Sequence, residues 1–273
     1  MKKISLLAIT TVLFSQIIFA GFPVGKGRFK IVPSYNFYTA KGYWDANKLY
    51  TSYTNNGKFT SNYFGIFLAA GINRNLDFVG TLPIVIQTQT ETGKLSSNAG
   101  LGDISLGLSY FLSHFDDNTH LALTGSVILP GYQNTKLPYI GFQSFGTELK
   151  LGVAGSTQRY YRNPYFDIEG GARQYFSDFG PTQLFANITG GIPLSDKFKI
   201  AGTLSGVNSL SNETSFNSTN LSYNRKFSYT RLTANAGFTV NENWSIWGNI
   251  YTDISGTSIG RGSGLSIFAV IKF

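Results

Sequence analysis

The sequence contains no cysteine in 273 residues, which removes a disulfide framework together with any thiolate metal site or cysteine nucleophile. Histidine is down to two residues, too few for a recognised metal-ligand spacing. Charged side chains make up 13% of the chain, against roughly 25% in ordinary soluble domains. Beyond the first twenty residues there is no run of about 18 apolar residues, so the rest of the chain holds no membrane-spanning helix. What is present points the other way. The chain is 42% hydrophobic, enough to exclude intrinsic disorder. It carries 31 Gly, 23 Phe and 16 Tyr, a mixture of turn formers and strand formers.

Met1-Lys2-Lys3 places two positive charges before the apolar stretch Ile4 to Ala20, which ends in Ile-Phe-Ala, a small residue where signal peptidase cuts. Residues 1–20 are therefore expected to be a cleaved signal peptide, leaving residues 21–273, 253 in all, as one domain. Without Lys2 and Lys3 the precursor's net charge of +8 falls to about +6. The bases are scattered singly among apolar positions, unlike the patches that hold nucleic acid, so a nucleic-acid partner is not expected.

From residue 27 onward apolar residues recur with a period of two, broken by Gly, Asn, Ser and Asp clusters. Twelve segments qualify as antiparallel strands. In one, Phe29, Ile31, Tyr35 and Phe37 alternate with Arg28, Lys30, Ser34 and Asn36. The last sets Leu265, Ile267, Ala269, Ile271 and Phe273 against Ser266, Phe268 and Lys272. The connections alternate in length. Asn73-Arg74-Asn75, Ser195-Asp196-Lys197 and Asn241-Glu242-Asn243 are tight. Lys41 to Gly57, Thr90 to Gly100, Pro130 to Gly141, Ser211 to Arg225 and Ser255 to Ser263 read as longer loops. Short turns at one rim and long loops at the other describe a 12-stranded antiparallel transmembrane β-barrel in a bacterial outer membrane, with lipid as its surroundings.

The charges test that reading. Each strand's non-apolar face takes Arg28, Lys30, Asp77, Asp103, Glu148, Lys150, Asp167, Glu169, Arg173, Lys199, Arg231, Asp253 and Lys272, with no charge expected on the apolar face. This is required if the apolar face meets hydrocarbon, where Lys or Arg at the midplane of a barrel costs roughly 2 to 4 kcal/mol. Phe29, Phe78, Tyr110, Phe166, Phe198, Phe238, Trp244 and Phe273 gather on the apolar face near the short turns, as an interfacial girdle would. The alternating strand ending in Phe273 resembles the segment by which outer-membrane barrels are recognised for insertion, which implies the barrel-assembly machinery as a partner.

Two stretches, Gly25-Lys26-Gly27 leading into RFKIVPSYNFYTAKGYWDAN and NAGLGDISLGLSYFL from Asn98 to Leu112, resemble the outer-membrane family named for the meta-pathway of phenol degradation. Gly100-Leu101-Gly102-Asp103 is the more specific part of the match. The resemblance implies a barrel and a transporter of aromatic or other hydrophobic small molecules.

Twelve strands lie between barrels of about 8, filled by side chains, and open porins of about 16, so the lumen should be narrow. Tyr38, Tyr63, Phe67, Phe111, Phe185, Trp247, Tyr251 and Phe268 share the inward parity and line a path for apolar solutes or fill the barrel. Among the inward charges, Arg173, Arg231, Asp167, Glu169, Glu148 and Lys150 form ion pairs or a charged pathway. Seven bases against six acids argue against a strongly ion-selective pore. The loop Lys41 to Gly57, with Tyr43, Trp44, Tyr50 and Tyr53, is the candidate gate. No cofactor is expected. A Ser-His hydrolase site is poorly served by His114 in a turn and His120 at a strand start, so no catalytic or metal residues are assigned. Gly260-Arg-Gly262-Ser-Gly264 lacks the following helix that a phosphate loop needs and reads as a barrel loop. The function expected is passive uptake of small hydrophobic or aromatic molecules. The alternative is a structural barrel with a closed lumen and partner-binding loops.

Overall fold

A computed structural model describes residues 23–91, 94–116, 118–157, 163–218 and 220–273. The expected signal peptide, residues 1–20, lies outside them. The strands are β1 Phe29–Trp44, β2 Tyr50–Ser52, β3 Lys58–Gly71, β4 Leu76–Glu91, β5 Lys94–Leu101, β6 Asp103–Asp116 and β7 Thr119–Pro130. They continue as β8 Gly146–Ser156, β9 Tyr165–Tyr175, β10 Thr182–Pro193, β11 Phe198–Leu210, β12 Phe227–Asn241, β13 Trp244–Thr257 and β14 Ile259–Lys272. Each pairs antiparallel with its neighbours, and β14 returns to β1 with Lys30 opposite Lys272 and Trp44 opposite Ile259, which closes the sheet.

Fourteen strands make twelve staves. β2 only flanks the end of β1, and β5 and β6 are halves of one stave that both pair with β4. The expected 12-stranded barrel is therefore the fold observed. Its tight turns are closed by side chains that imitate backbone: Asn73 accepts the Asn75 N–H at 2.8 Å, and Asn241 accepts those of Asn243 and Trp244 at 2.9 Å each.

Side-chain direction follows parity. Phe64, Ile84, Leu151, Ile188, Leu204, Leu232, Ile250 and Ile267 stand exposed around the outside, Ile250 at 68%. In water such a band would be a severe liability, and in a bilayer it is the solvation that holds the barrel in place. Exposed Lys41, Lys58, Lys94 and Arg261 all sit at the long-loop rim, clear of the hydrocarbon. The girdle is present at the opposite rim: Phe29, Tyr110, Phe166, Trp244 and Phe273 are exposed, and Phe198 meets Phe238 with ring centroids 5.0 Å apart.

Three connections differ from expectation. Lys41 to Gly57 is not a free loop. β1 runs on through Tyr43 and Trp44, pairs with β2 at Tyr50, and leaves the turn at 45–49 and the stretch around Tyr53 outside the strands. Trp44 is buried against Phe227, Tyr229 and Ile259. Thr90 to Gly100 is mostly strand, because β4 and β5 pair almost to their tips. Residues 260–264 are strand as well. Gly262 and Gly264 face the Tyr38 and Tyr251 rings so closely that a β-carbon on either would collide with the ring and with β1 backbone. Those glycines let large rings lie flat on the wall, which is a packing requirement that sequence pattern reads as a turn.

Candidate functional site

The lumen is built from the residues whose parity turns them inward. Near the short-turn rim Trp247 stacks on Phe268 at 6.1 Å with planes 2° apart, packed against Val32 and Val270. The Lys30 ammonium lies 5.6 Å from the centre of the Phe67 ring. Asp77, almost fully buried on β4, accepts the backbone N–H of Val24 at 2.9 Å, so the chain ahead of β1 turns into this mouth. Pro23, Val24, Asp167, Lys199, Trp247 and Lys272 are among the residues that border this periplasmic vestibule, whose empty volume is about 2150 Å³ including open solvent.

Higher up, charges of opposite sign are matched by strand register. Glu148 stands opposite Arg173 across β8 and β9, and the guanidinium donates to one carboxylate oxygen from Nε at 2.9 Å and Nη2 at 2.6 Å. Lys150 reaches Glu169 at 2.9 Å. On β12 and β13, Arg231 donates to Asp253 at 2.8 Å and is enclosed by the rings of Tyr251, Tyr229 and Tyr38 at 4.3, 4.9 and 5.6 Å. Tyr38 also donates to Asp253 at 3.0 Å and stacks on Tyr251. These contacts satisfy charges that would otherwise be costly in a sparsely hydrated interior.

Between the ionic wall and an apolar wall of Tyr63, Phe67, Val79, Pro83 and Ile128 lies an inner chamber with about 1010 Å³ of empty volume, part of it open to solvent. Of the candidate residues, Tyr63, Phe67, Glu169 and Arg173 border it, and Trp247 and Asp167 border the vestibule. Tyr38, Phe111, Phe185, Tyr251, Phe268 and Arg231 face inward but border neither this chamber nor the vestibule, and all of them are buried in the wall packing.

Two segments that sequence reading treated as ordinary loops fold back into the mouth. Segment 131–145 puts Ile140 over Gly100 and Phe142 edge-on to Tyr175 at 5.0 Å. Segment 211–226 buries Leu221 against Tyr38, Tyr53, Phe59 and Tyr251, and Ser222 crosses the lumen to donate to Gln87 on β4 at 2.8 Å. The two are joined where the Tyr139 N–H donates to the Asn220 side chain at 2.9 Å. Apolar Ile140, Phe142 and Leu221 inside loops were the available signal, since a solvated loop has no use for them. The proposed gate aromatics play a supporting part. Tyr53 donates to the Ser218 carbonyl at 3.3 Å, and Tyr43 packs on Phe216.

Beneath these segments is an outer chamber, about 660 Å³ of empty volume including open solvent, bordered by Gln87, Gln183, Phe142, Tyr175, Leu221 and Phe227 among others. Tyr63, Asp103 and Arg173 border both chambers and so form the partition between them. Asp103 points inward because of a bulge. Four residues on β4 from Ile84 to Thr81 oppose five from Leu101 to Ser105, and Gly102 is the extra one. A β-carbon there would press on Pro83 and Val85 at 3.0 and 3.1 Å. The Asp103 carboxylate accepts hydroxyls from Tyr132 in segment 131–145 and from Tyr175 in β9, each at 2.9 Å. Burial and the neighbouring Asp103 carboxylate push the Tyr132 phenol well up, so it remains a donor at any physiological pH.

The Tyr132 to Asp103 bond is therefore a latch on the lid. Hydrogen bonds to charged acceptors contribute about 1.5 to 3 kcal/mol, so Tyr132→Phe should raise lid opening on the order of tenfold or more. Because the chain has no cysteine, Ser105→Cys in the inner chamber reports it cleanly. Labelling of Ser105→Cys by an impermeant maleimide added outside cells is expected to accelerate in Tyr132→Phe and not in Tyr175→Phe, whose hydroxyl ties wall to wall. Equal rates in all three would show that the latch does not hold the lid.

No protein-family model matches the chain, and no curated protein matches it. Among solved structures it is similar to an outer membrane channel from Pseudomonas putida F1, with a TM-score of 0.72 and 15% identity over 96% of this chain and 100% of that one. It is also similar to the translocator domain of the autotransporter NalP from Neisseria meningitidis, with a TM-score of 0.50 and 15% identity over 91% of this chain and 89% of that one. At such identities the likeness is one of fold. That fold, with the apolar belt and aromatic girdle on its outside, makes this chain a β-barrel of the bacterial outer membrane.

Proposed function

We propose that the barrel is a channel for passive uptake of small hydrophobic or aromatic molecules, in keeping with the phenol-pathway resemblance of Gly100 to Asp103. The observation that carries this reading is the inner chamber, which has an apolar wall facing a polar wall whose charges already neutralise one another. An uncharged solute gains apolar contact there and displaces no ionic partner, whereas a free ion would compete with the Glu148–Arg173 and Lys150–Glu169 pairs. Tyr63 and Phe67 would touch the solute, Trp247 and Asp167 would line its exit, and the remaining inward rings, Tyr38, Phe111, Phe185, Tyr251 and Phe268, would keep the path narrow with Arg231. The strand ending at Phe273 would serve recognition by the barrel-assembly machinery.

A second reading, a structural barrel with a closed lumen and partner-binding loops, is favoured by the hydrogen bonds that join segment 131–145 to segment 211–226 and the latter to β4 across the mouth. Flux separates the two. Vesicles with a lipopolysaccharide outer leaflet, which slows apolar solutes, should take up radiolabelled toluene faster when the barrel is present. Equal uptake with and without the barrel would leave the structural reading.

A further inference from the structure

The outer chamber contains hydrogen-bonding groups that the fold leaves unused. Gln87 is fully buried on β4, and its Oε1 accepts the Ser222 hydroxyl, which fixes the amide and directs Nε2 away with no partner. Gln183 is 2% exposed on β10, and its Nε2 donates weakly to Ser209 at 3.4 Å, leaving Oε1 without a partner. β4 and β10 are five staves apart in the barrel, so the spare donor and the spare acceptor lie on different walls of the chamber, each covered by its neighbours until a solute parts them. Buried polar groups are nearly always paired, and unpaired ones concentrate where something else binds.

The chamber's charges offer nothing comparable. The Asp103 oxygens already accept from Tyr132 and Tyr175, and Arg173 is committed to Glu148. The remaining wall is mainly apolar, with Phe142, Tyr175 and Phe227 beside Val85, Ile140 and Leu221.

We propose that the outer chamber is a recognition site for an uncharged, ring-bearing solute that carries both a hydrogen-bond acceptor and a donor. Its acceptor takes the Gln87 Nε2–H, its donor meets Gln183 Oε1, and its ring lies among Phe142, Tyr175 and Phe227. An anion of the same shape finds no free positive group and is repelled by Asp103. A plain hydrocarbon leaves both amides unpaired. The site deepens the channel reading and rests on it for the way in which the solute arrives.

Three probes of similar size separate the cases: benzamide, benzoate and ethylbenzene. Their binding to the full-length barrel in lipid nanodiscs is measured by ligand-observed NMR, with empty nanodiscs subtracting partition into lipid. Benzamide is expected to bind most tightly, and Gln87→Leu and Gln183→Leu should each weaken it on the order of tenfold, the loss of about one hydrogen bond. Ethylbenzene should change little in either variant. Ser222→Ala keeps the Gln87 amide but frees it to reorient, so it should weaken benzamide less than Gln87→Leu does. Heat-modifiable gel mobility confirms that each variant is folded, and Gln87→Met and Gln183→Met replace any leucine variant that is not. Benzamide binding no tighter than benzoate or ethylbenzene, or undiminished in both glutamine variants, overturns the proposal. Binding without flux in the vesicle assay defeats the channel reading and leaves the site. Flux without a benzamide preference defeats the site and leaves the channel.

Discussion

Asp253→Ala is expected to destabilise the barrel by about 3 to 5 kcal/mol, the cost of removing one member of a buried ion pair. The side chains of Arg231 and Asp253 are 5% and 2% exposed, so water cannot take over the role of the missing carboxylate. The three tyrosine rings around Arg231 soften the loss through cation–π attraction but supply no counter-charge. Tyr38 loses an acceptor at the same time, although its second partner, the Gly260 carbonyl at 3.0 Å, remains. Denaturant unfolding in detergent micelles measures the change. The double variant Arg231→Met, Asp253→Leu should recover most of it, because a matched apolar pair avoids the desolvation that the ionic pair has to offset. A single variant within about 1 kcal/mol of the parent, the range of exposed pairs, would mean that the cluster is hydrated and that the interior is wetter than its packing indicates.

The second large effect concerns the mouth. Replacing residues 133–142 with a short Gly-Ser turn removes Ile140, Phe142 and the Tyr139 link to Asn220. Segment 211–226 would still be held by Ser222 on Gln87, Tyr53 on Ser218 and Asn224 on Ser258. Partial opening is therefore expected, seen in planar bilayers as a several-fold rise in single-channel conductance with frequent flicker. Shortening 213–223 as well should give a steady open level. If conductance stays at the parent's value with both segments cut back, the obstruction lies deeper, at the Tyr63, Asp103 and Arg173 partition, and the lid assignment fails.

Much of the barrel was readable from the order of residues, because a strand in a membrane wall is a local object with one physical constraint on each side. Phe29, Ile31, Tyr35 and Phe37 must face hydrocarbon, so Lys30, Ser34 and Asn36 must face in, and the same parity placed Arg173, Arg231, Asp167 and Glu169 in the lumen. Of the two readings of the inward charges, ion pairs or a charged pathway, the structure shows pairs at Glu148–Arg173 and Lys150–Glu169, because buried charges must find partners. Where parity breaks, local reasoning stops. The bulge at Gly102 lets both Gly100 and Asp103 point inward, and the register shift between Ala40 and Tyr43 carries strand into what reads as a loop.

The order of residues by itself determined the twelve-stave outer-membrane barrel and which side chains look inward, because the cost of a charge in lipid acts on every strand separately. Only the tertiary structure decided which inward groups border open chambers, that segments 131–145 and 211–226 close the mouth, and that Gln87 and Gln183 are left with spare hydrogen-bonding capacity. Those features depend on contacts such as Ser222 with Gln87, 135 positions apart in the chain, and no pattern of period two encodes a meeting across the lumen.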